Sequence, residues 1–185
     1  MLKDFNEIRR HLQEFDSRRE ETISTSREII KLSKQIIYSI HRDDIKTAES
    51  LIKEIKVKLS KLDKKHYDTN IDCVAFQEYV EALCYYEFVK TGKIPSHKEL
   101  KVDVDHYLLG LCDLTGELVR KAVNGIIKKK YKEALKIKEL VEEIYGEFLK
   151  LDFRNNELRV KADSIKYNLK KLEDIAYDLK VKGFI

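Results

Sequence analysis

Two pairs of acidic residues stand at helical spacing in the middle of the sequence. Glu78 and Glu81 are three residues apart, and Asp113 and Glu117 are four apart, so each pair falls on one face of a helix. Neighbouring carboxylates repel each other and resist desolvation, so they need a compensating positive charge. Hard divalent cations bind carboxylate oxygens together with waters and substrate phosphates. The two pairs therefore predict a site for Mg²⁺, or Mn²⁺, that could support displacement at a phosphodiester.

The same spacing is compatible with a purely structural role for these acids. The first pair lies within an apolar stripe of its helix, where a buried ion pair or a water-filled subunit contact would also account for it. Gly110 and Gly116 stand in the helix of the second pair at a cost of roughly 1 kcal/mol each. They suggest close approach of a ligand or of another backbone, and tight helix packing is the simpler alternative. A ferritin-like di-iron site is excluded, because no Glu-x-x-His occurs.

Length and composition indicate one helical domain over residues 1–185. Hydrophobic residues make up 43% of the 185 residues and charged residues 38%, which excludes a disordered chain. One Pro and six Gly argue against a turn-rich β-sandwich. A net charge of +4 is too small to establish nucleic-acid binding. Without an apolar leader, a long apolar run or a C-x-x-C pair, we expect a cytoplasmic protein that has neither disulfides nor zinc.

Apolar residues recur at helical spacing almost from end to end, which predicts an all-α bundle of six to seven long antiparallel helices. The predicted helices cover about residues 3–41, from Asp43-Asp44 to Lys65, 71–91, from Asp103 to Lys128, 131–150, and from Arg154 to Val181. An unbroken first helix would be roughly 57 Å long. It should therefore break near Asp16-Ser17, where Ser17-x-x-Glu20 could form a capping box, or pack on another subunit. Residues 92–100 are predicted as a connection that holds a second box, Ser96-x-x-Glu99.

The segments around both acid pairs resemble translin-associated factor X. They read FQEYVEA at residues 76–82 and DHYLLGLCDLTGELVR at residues 105–120. The end of the chain, LRVKADSIKYNLKKLEDIAYDLKVKGF at 158–184, is similar to translin, and Ser26-Arg27 and Ser33-Lys34 are similar to the first long helix of that family. The chain is thus identified as a translin-superfamily member of archaeal type, nearest to the catalytic factor X branch.

The resemblance implies a hollow octamer that binds single-stranded RNA or DNA, with Mg²⁺-dependent endoribonuclease activity in the factor X branch. The acidic residues of that branch map onto Glu78, Glu81, Asp113 and Glu117, which are the predicted metal ligands and catalytic residues. Translin lacks the second and third acids and binds without being the catalytic subunit. The basic, His-containing stretch of translin is replaced here by AFQEYVE, so its RNA contacts do not transfer. Its proposed nucleotide-binding loop reads GIIKKKY at residues 125–131, so no GTP binding is expected.

Basic residues are the candidates for contact with a nucleic-acid backbone. The predicted contacts are Arg18, Arg19, Arg27, Lys34 and Arg120, with Lys31 beside them. Because Glu20, Glu21 and Glu28 are interleaved, an ion-paired solvated face is the alternative. The prediction is a Mg²⁺-dependent ribonuclease on the inner wall of a homo-oligomeric shell, with His106 near enough on its helix to assist. A binding protein that does not cleave, or a purely structural bundle, are the other possibilities.

Overall fold

The described part of the chain is helical throughout. The computed structural model describes residues 2–62, 67–153 and 157–185, and within these ranges the chain forms seven α-helices and no strand. The helices are α1 (Leu2–His41), α2 (Ile45–Lys61), α3 (Ile71–Thr91), α4 (His97–Leu100), α5 (Val104–Ile127), α6 (Tyr131–Phe148) and α7 (Glu157–Val181). The all-α prediction is confirmed. None of these described helices is long and apolar enough to span a bilayer.

Local capping chemistry explains several helix ends. The Asp44 carboxylate accepts the Thr47 backbone N–H at 3.1 Å and so begins α2. Ser96 and Glu99 form the predicted capping box, which starts a one-turn helix, α4, inside the segment predicted as a connection. Asp103 is the N-cap of α5 by position, but its side chain makes no capping hydrogen bond. The predicted ends at Lys65 and Arg154 lie outside the described residues.

The first helix is continuous, so the first of the two alternatives for this segment, a break near Asp16-Ser17, is wrong, and packing on another subunit stays a prediction. Ser17 and Glu20 lie inside α1, which runs for 40 residues, or about 60 Å. No Gly or Pro occurs in this stretch, so nothing forces the backbone out of helical geometry, and a Ser in mid-helix costs only about half a kcal/mol. The residues from 4 to 14 are all exposed, including Phe5, Ile8 and Leu12.

The chain divides into two compact units, which we call unit 1 (Met1–Tyr86) and unit 2 (Glu87–Ile185). In unit 1, side chains of α1, α2 and α3 form the core, and the fully buried ones include Ile29, Ile36, Ile40, Ile55 and Tyr85. The Tyr85 hydroxyl lies 3.1 Å from His41 Nδ1, and the Tyr86 hydroxyl donates to Glu49 at 2.8 Å. These hydrogen bonds tie α3 to α1 and α2, and so fix the position of the helix that carries the first acid pair.

Unit 2 has its core among α5, α6 and α7. The fully buried side chains include Leu114, Leu118, Ile137, Val141, Ile165 and Leu172. Asn168 on α7 donates to the Thr115 hydroxyl at 2.9 Å. A Cβ at Gly116 would lie 3.9 Å from the same Asn168 amide, which is ordinary van der Waals contact. Gly116 therefore faces α7, as helix packing predicts, although the packing does not require a glycine.

Candidate functional site

The first acid pair lies on a mostly buried helix. Ten residues of α3 are buried, as its nearly all-round apolar pattern predicts, while Glu78 and Glu81 are half-buried. Glu78 Oε1 lies 3.4 Å from Lys34 Nζ on α1. The Glu78 side chain is 20% exposed and that of Lys34 is 65% exposed. A shielded carboxylate thus meets an ammonium group that faces solvent.

The second acid pair lies on α5 in unit 2. Asp113 Oδ2 accepts a hydrogen bond from Lys161 Nζ on α7 at 2.6 Å, and both side chains are about one-third exposed. Glu117 Oε2 lies 3.6 Å from Arg120 Nη1, one turn further along α5. Asp113 and Glu117 therefore each have a basic side chain beside them, as the sequence analysis expected of carboxylates that lie close together.

The acid pairs have the donor chemistry that Mg²⁺ prefers. Each pair offers only carboxylate oxygens, partly shielded from water. In neither unit do the described residues gather three or more His, Cys, Asp or Glu side chains into a group that could hold a metal ion. The donor type fits the predicted ion, whereas Lys34, Lys161 and Arg120 occupy positions beside the acids. A divalent ion at either pair would have to compete with a basic side chain.

Lys161 is the site residue that the sequence analysis missed. Its partner Asp113 is 48 residues away in the chain, and no local spacing connects the two. The packing of α7 on α5 creates the contact. His106, which the sequence suggested as an assisting group, is buried in α5 at 8% exposure. It lies seven residues from Asp113, or about 10 Å along the helix axis.

The basic residues of α1 differ in whether they form ion pairs. Arg19 lies 2.6 Å from Asp68 Oδ1 and 2.8 Å from Glu20 Oε1, so the predicted ion-paired alternative describes this residue. The Arg19 hydrogen bond lowers the pKa of the Asp68 carboxyl. Arg18 is exposed and shares a small pocket with Glu21.

Arg27, Lys31 and Lys34 share an exposed face of the same helix. They line a groove of about 630 Å³ in unit 1, together with Tyr38 and Leu51. Within the described residues, Glu28 pairs with Lys58 of α2 at 2.5 Å rather than with Arg27 or Lys31. Arg27 and Lys34, two of the residues predicted to contact a nucleic-acid backbone, therefore lie on one surface.

Comparison with known proteins assigns a family. The Translin family model matches residues 17–183. An uncharacterised protein of Methanocaldococcus jannaschii is 32% identical over 171 residues, covering 88% of this chain and 76% of its own. Translin of Gallus gallus is 37% identical over 82 residues, which is 44% of this chain and 36% of the chicken protein. Translin-associated protein X of Pongo abelii is 26% identical over 224 residues, covering 92% and 76%. The chain thus spans little more than a third of the translins it matches.

Solved structures share the fold. Apo-NeC3PO superposes with a TM-score of 0.88 at 32% identity, over 96% of this chain and 97% of its own. AfC3PO in complex with duplex RNA also gives a TM-score of 0.88, at 26% identity, over 97% of both chains. The agreement extends over nearly the whole chain, so the helical architecture is that of these proteins.

Proposed function

The chain belongs to the translin family, and from this premise we propose that it is a Mg²⁺-dependent endoribonuclease that acts on single-stranded RNA. One observation carries the proposal: the chain places a half-buried carboxylate pair on α3 and another on α5. These helices contain the segments that resemble the catalytic branch. Two carboxylates on one face of a helix repel each other and lose hydration when they are partly buried, and a bound divalent ion would offset both costs.

The proposed metal ligands are Glu78 and Glu81 in unit 1, and Asp113 and Glu117 in unit 2. When bound, Mg²⁺ lowers the pKa of a water and offsets charge on the phosphodiester. The protein's own groups have separate tasks. The carboxylates fix the ion, and their partial burial reduces competition by bulk water. Lys34 and Lys161 neutralise the acids when no ion is bound. A lysine displaced from a carboxylate remains close enough to contact a substrate phosphate.

RNA is the proposed partner, and a homo-oligomer, an octamer, is the proposed assembly. AfC3PO has been solved with duplex RNA, which supports RNA as a ligand here, while the preference for single strands rests on the resemblance to the family. The exposed Phe5, Ile8 and Leu12 on α1 support contact with a second copy of the chain, because an isolated chain leaves their apolar surface in water.

Cleavage of labelled RNA tests the proposal. Single-stranded and duplex RNA are each incubated with protein and Mg²⁺, with EDTA, and with the variants Glu78→Gln and Asp113→Asn. Glu139→Gln, an exposed glutamate of α6, is the matched control. We expect cleavage of the single strand by wild type and control only, with a loss of at least about a hundredfold in the two variants. Equal cleavage under all conditions would refute the assignment.

A second candidate is an RNA-binding protein that leaves the strand intact. The observation in its favour is that Glu78, Asp113 and Glu117 each have a basic side chain within 4 Å, so their charges are already compensated without a metal. Such a protein would shift RNA in a gel with a steep salt dependence. Its binding would be unchanged by EDTA, and no product would form with Mg²⁺ or Mn²⁺.

A further inference from the structure

We propose that the groove between α1 and α2 in unit 1 is a binding track for single-stranded RNA. In this assignment the strand's phosphates lie along Arg27, Lys31 and Lys34, and a base stacks on the ring of Tyr38. The inference rests on the proposed function in one respect, namely that RNA is the ligand. The groove provides a row of cations, an aromatic platform and a place where the strand meets an acidic residue.

The charge of the groove suits a polyanion. Arg27, Lys31 and Lys34 are spaced at i, i+4 and i+7 and are all exposed, so they form a row about 10 Å long on one face of α1. Neither Arg27 nor Lys31 forms an ion pair with a carboxylate in the described part of the chain. Two of these charges are thus uncompensated, and neutralising phosphates would release counterions.

The walls of the groove offer apolar surface beside this charge. Ile30 of α1 and Leu51 of α2 line it together with Tyr38, and the polar residue that α2 contributes is Thr47. Apolar and aromatic surface next to a row of cations is the combination that binds single strands, whose bases are unpaired and have free ring faces. A duplex would present only its phosphates to such a groove.

Tyr38 is held in place as a platform. Tyr38 is 56% exposed and lies on the same exposed face of α1 as Lys34. The Arg42 guanidinium lies 5.5 Å from the ring centroid, and Nη1 of Arg42 donates to the Tyr38 hydroxyl at 3.2 Å. The arginine orients the ring and adds positive charge next to it. A base can stack on an oriented ring at a lower entropic cost than on a mobile one.

Lys34 connects the groove to the first acid pair. It lines the groove and also lies 3.4 Å from Glu78. Tyr38 is one helical turn further along α1, about 6 Å away. A strand whose base stacks on Tyr38 therefore has a neighbouring phosphate at Lys34, next to Glu78. The groove would in this way present a backbone phosphate to a proposed metal ligand.

The experiment measures binding rather than cleavage. A fluorescein-labelled oligouridylate is titrated with the full-length protein in EDTA, so that the strand stays intact, and fluorescence anisotropy gives Kd at several salt concentrations. The variants are Tyr38→Leu, Tyr38→Phe and Lys31→Gln. The matched controls are Tyr167→Leu, an exposed tyrosine of α7, and Lys56→Gln, an exposed lysine of α2 that does not line the groove. Circular dichroism checks that each variant is folded.

The two kinds of contact predict different results. Tyr38→Leu should weaken binding at least about fivefold with an unchanged dependence of log Kd on log salt, and Tyr38→Phe should restore affinity because the ring remains. Lys31→Gln should lower the salt slope by about 0.7, the value for one lost phosphate contact on a single strand. Both controls should match wild type.

The results that would refute the groove differ from those that would refute RNA binding altogether. If wild type binds the oligouridylate and the groove variants behave like their controls, the groove is not the track, although RNA binding stands. If wild type binds neither this probe nor duplex RNA, the proposed function and the groove are both refuted. Should Tyr38→Leu change the salt slope while Lys31→Gln does not, the assigned roles of base platform and phosphate contact are wrong.

Discussion

Replacing Lys161 by Met should make the second acid pair a better cation site. The ammonium group of Lys161 is 2.6 Å from Asp113 Oδ2 and neutralises it, and a divalent ion must displace this contact in order to bind. Met keeps an unbranched apolar stem like that of the lysine but carries no charge. Under the proposed function the variant should therefore bind Mg²⁺ and Mn²⁺ more tightly than wild type, even though a basic residue has been removed from the site.

The structure sets the size of the effect. Both side chains of the pair are about one-third exposed, so the coupling lies near the upper end of what exposed ion pairs contribute, about 1 kcal/mol, rather than at the much larger values of a dry interior. A difference of about 1 kcal/mol corresponds to roughly a fivefold change in affinity. Salt screens this contact only weakly, because the separation is well below the Debye length.

Mn²⁺ binding followed by electron paramagnetic resonance, or by calorimetry, measures the effect without any need for activity. Lys170→Met, at an exposed position of the same helix, is the control and should bind like wild type. Lys161→Met with Asp113→Asn should lose the gain, because the carboxylate that the lysine masks is then gone. Unchanged or weaker Mn²⁺ binding in Lys161→Met alone would refute the reasoning that the lysine and the ion compete.

Three further predictions concern stability. Leu118→Ala, at a fully buried position of α5, should lower the free energy of unfolding by about 2–5 kcal/mol in a denaturant titration, and a loss below about 1 kcal/mol would contradict the assigned core. Lys129→Gly should raise the free energy of unfolding by about 0.5–1 kcal/mol, because Lys129 follows α5 with φ +60° in the left-handed region, which glycine adopts without strain. An unchanged free energy of unfolding would show that the lysine is not strained there. Hydrogen bonds from Thr47 and Arg19 lower the pKa values of Asp44 and Asp68. Their stabilisation is complete above the unfolded-state pKa near 4 and is lost as the pH falls through the lower folded values, so the free energy of unfolding should decrease below about pH 4, and it should decrease less steeply in Asp68→Asn.

Features set by neighbouring residues could be predicted from the sequence. The bounds of α3, the N-cap at Asp44 and the box at Ser96 and Glu99 all agree with the structure, because each depends on residues within one or two turns. The predicted break at Ser17 failed for a related reason. A capping box acts only where the preceding backbone leaves the helix, and nothing in the residues before Ser17 makes it do so.

The ion pairs of the candidate site, in contrast, depend on how separate helices pack. The Lys34–Glu78 and Lys161–Asp113 pairs join helices that are far apart in sequence, and the orientation of Tyr38 by Arg42 matters only because α2 forms the other wall of the groove. Spacing along one helix predicted which acids share a face. Which cation lies opposite each of them depends on how the helices pack, and that information is not contained in the periodicity of any single segment.

The helical content of the exposed beginning of α1 should depend on protein concentration under the proposed assembly. Residues 4–14 lie outside the core of unit 1, and a solvated stretch of this length has a helix–coil equilibrium close to balance. Docking on another protomer would shift that equilibrium by mass action. Under the proposed homo-oligomeric assembly, the ellipticity at 222 nm should consequently rise as subunits associate and fall on dilution.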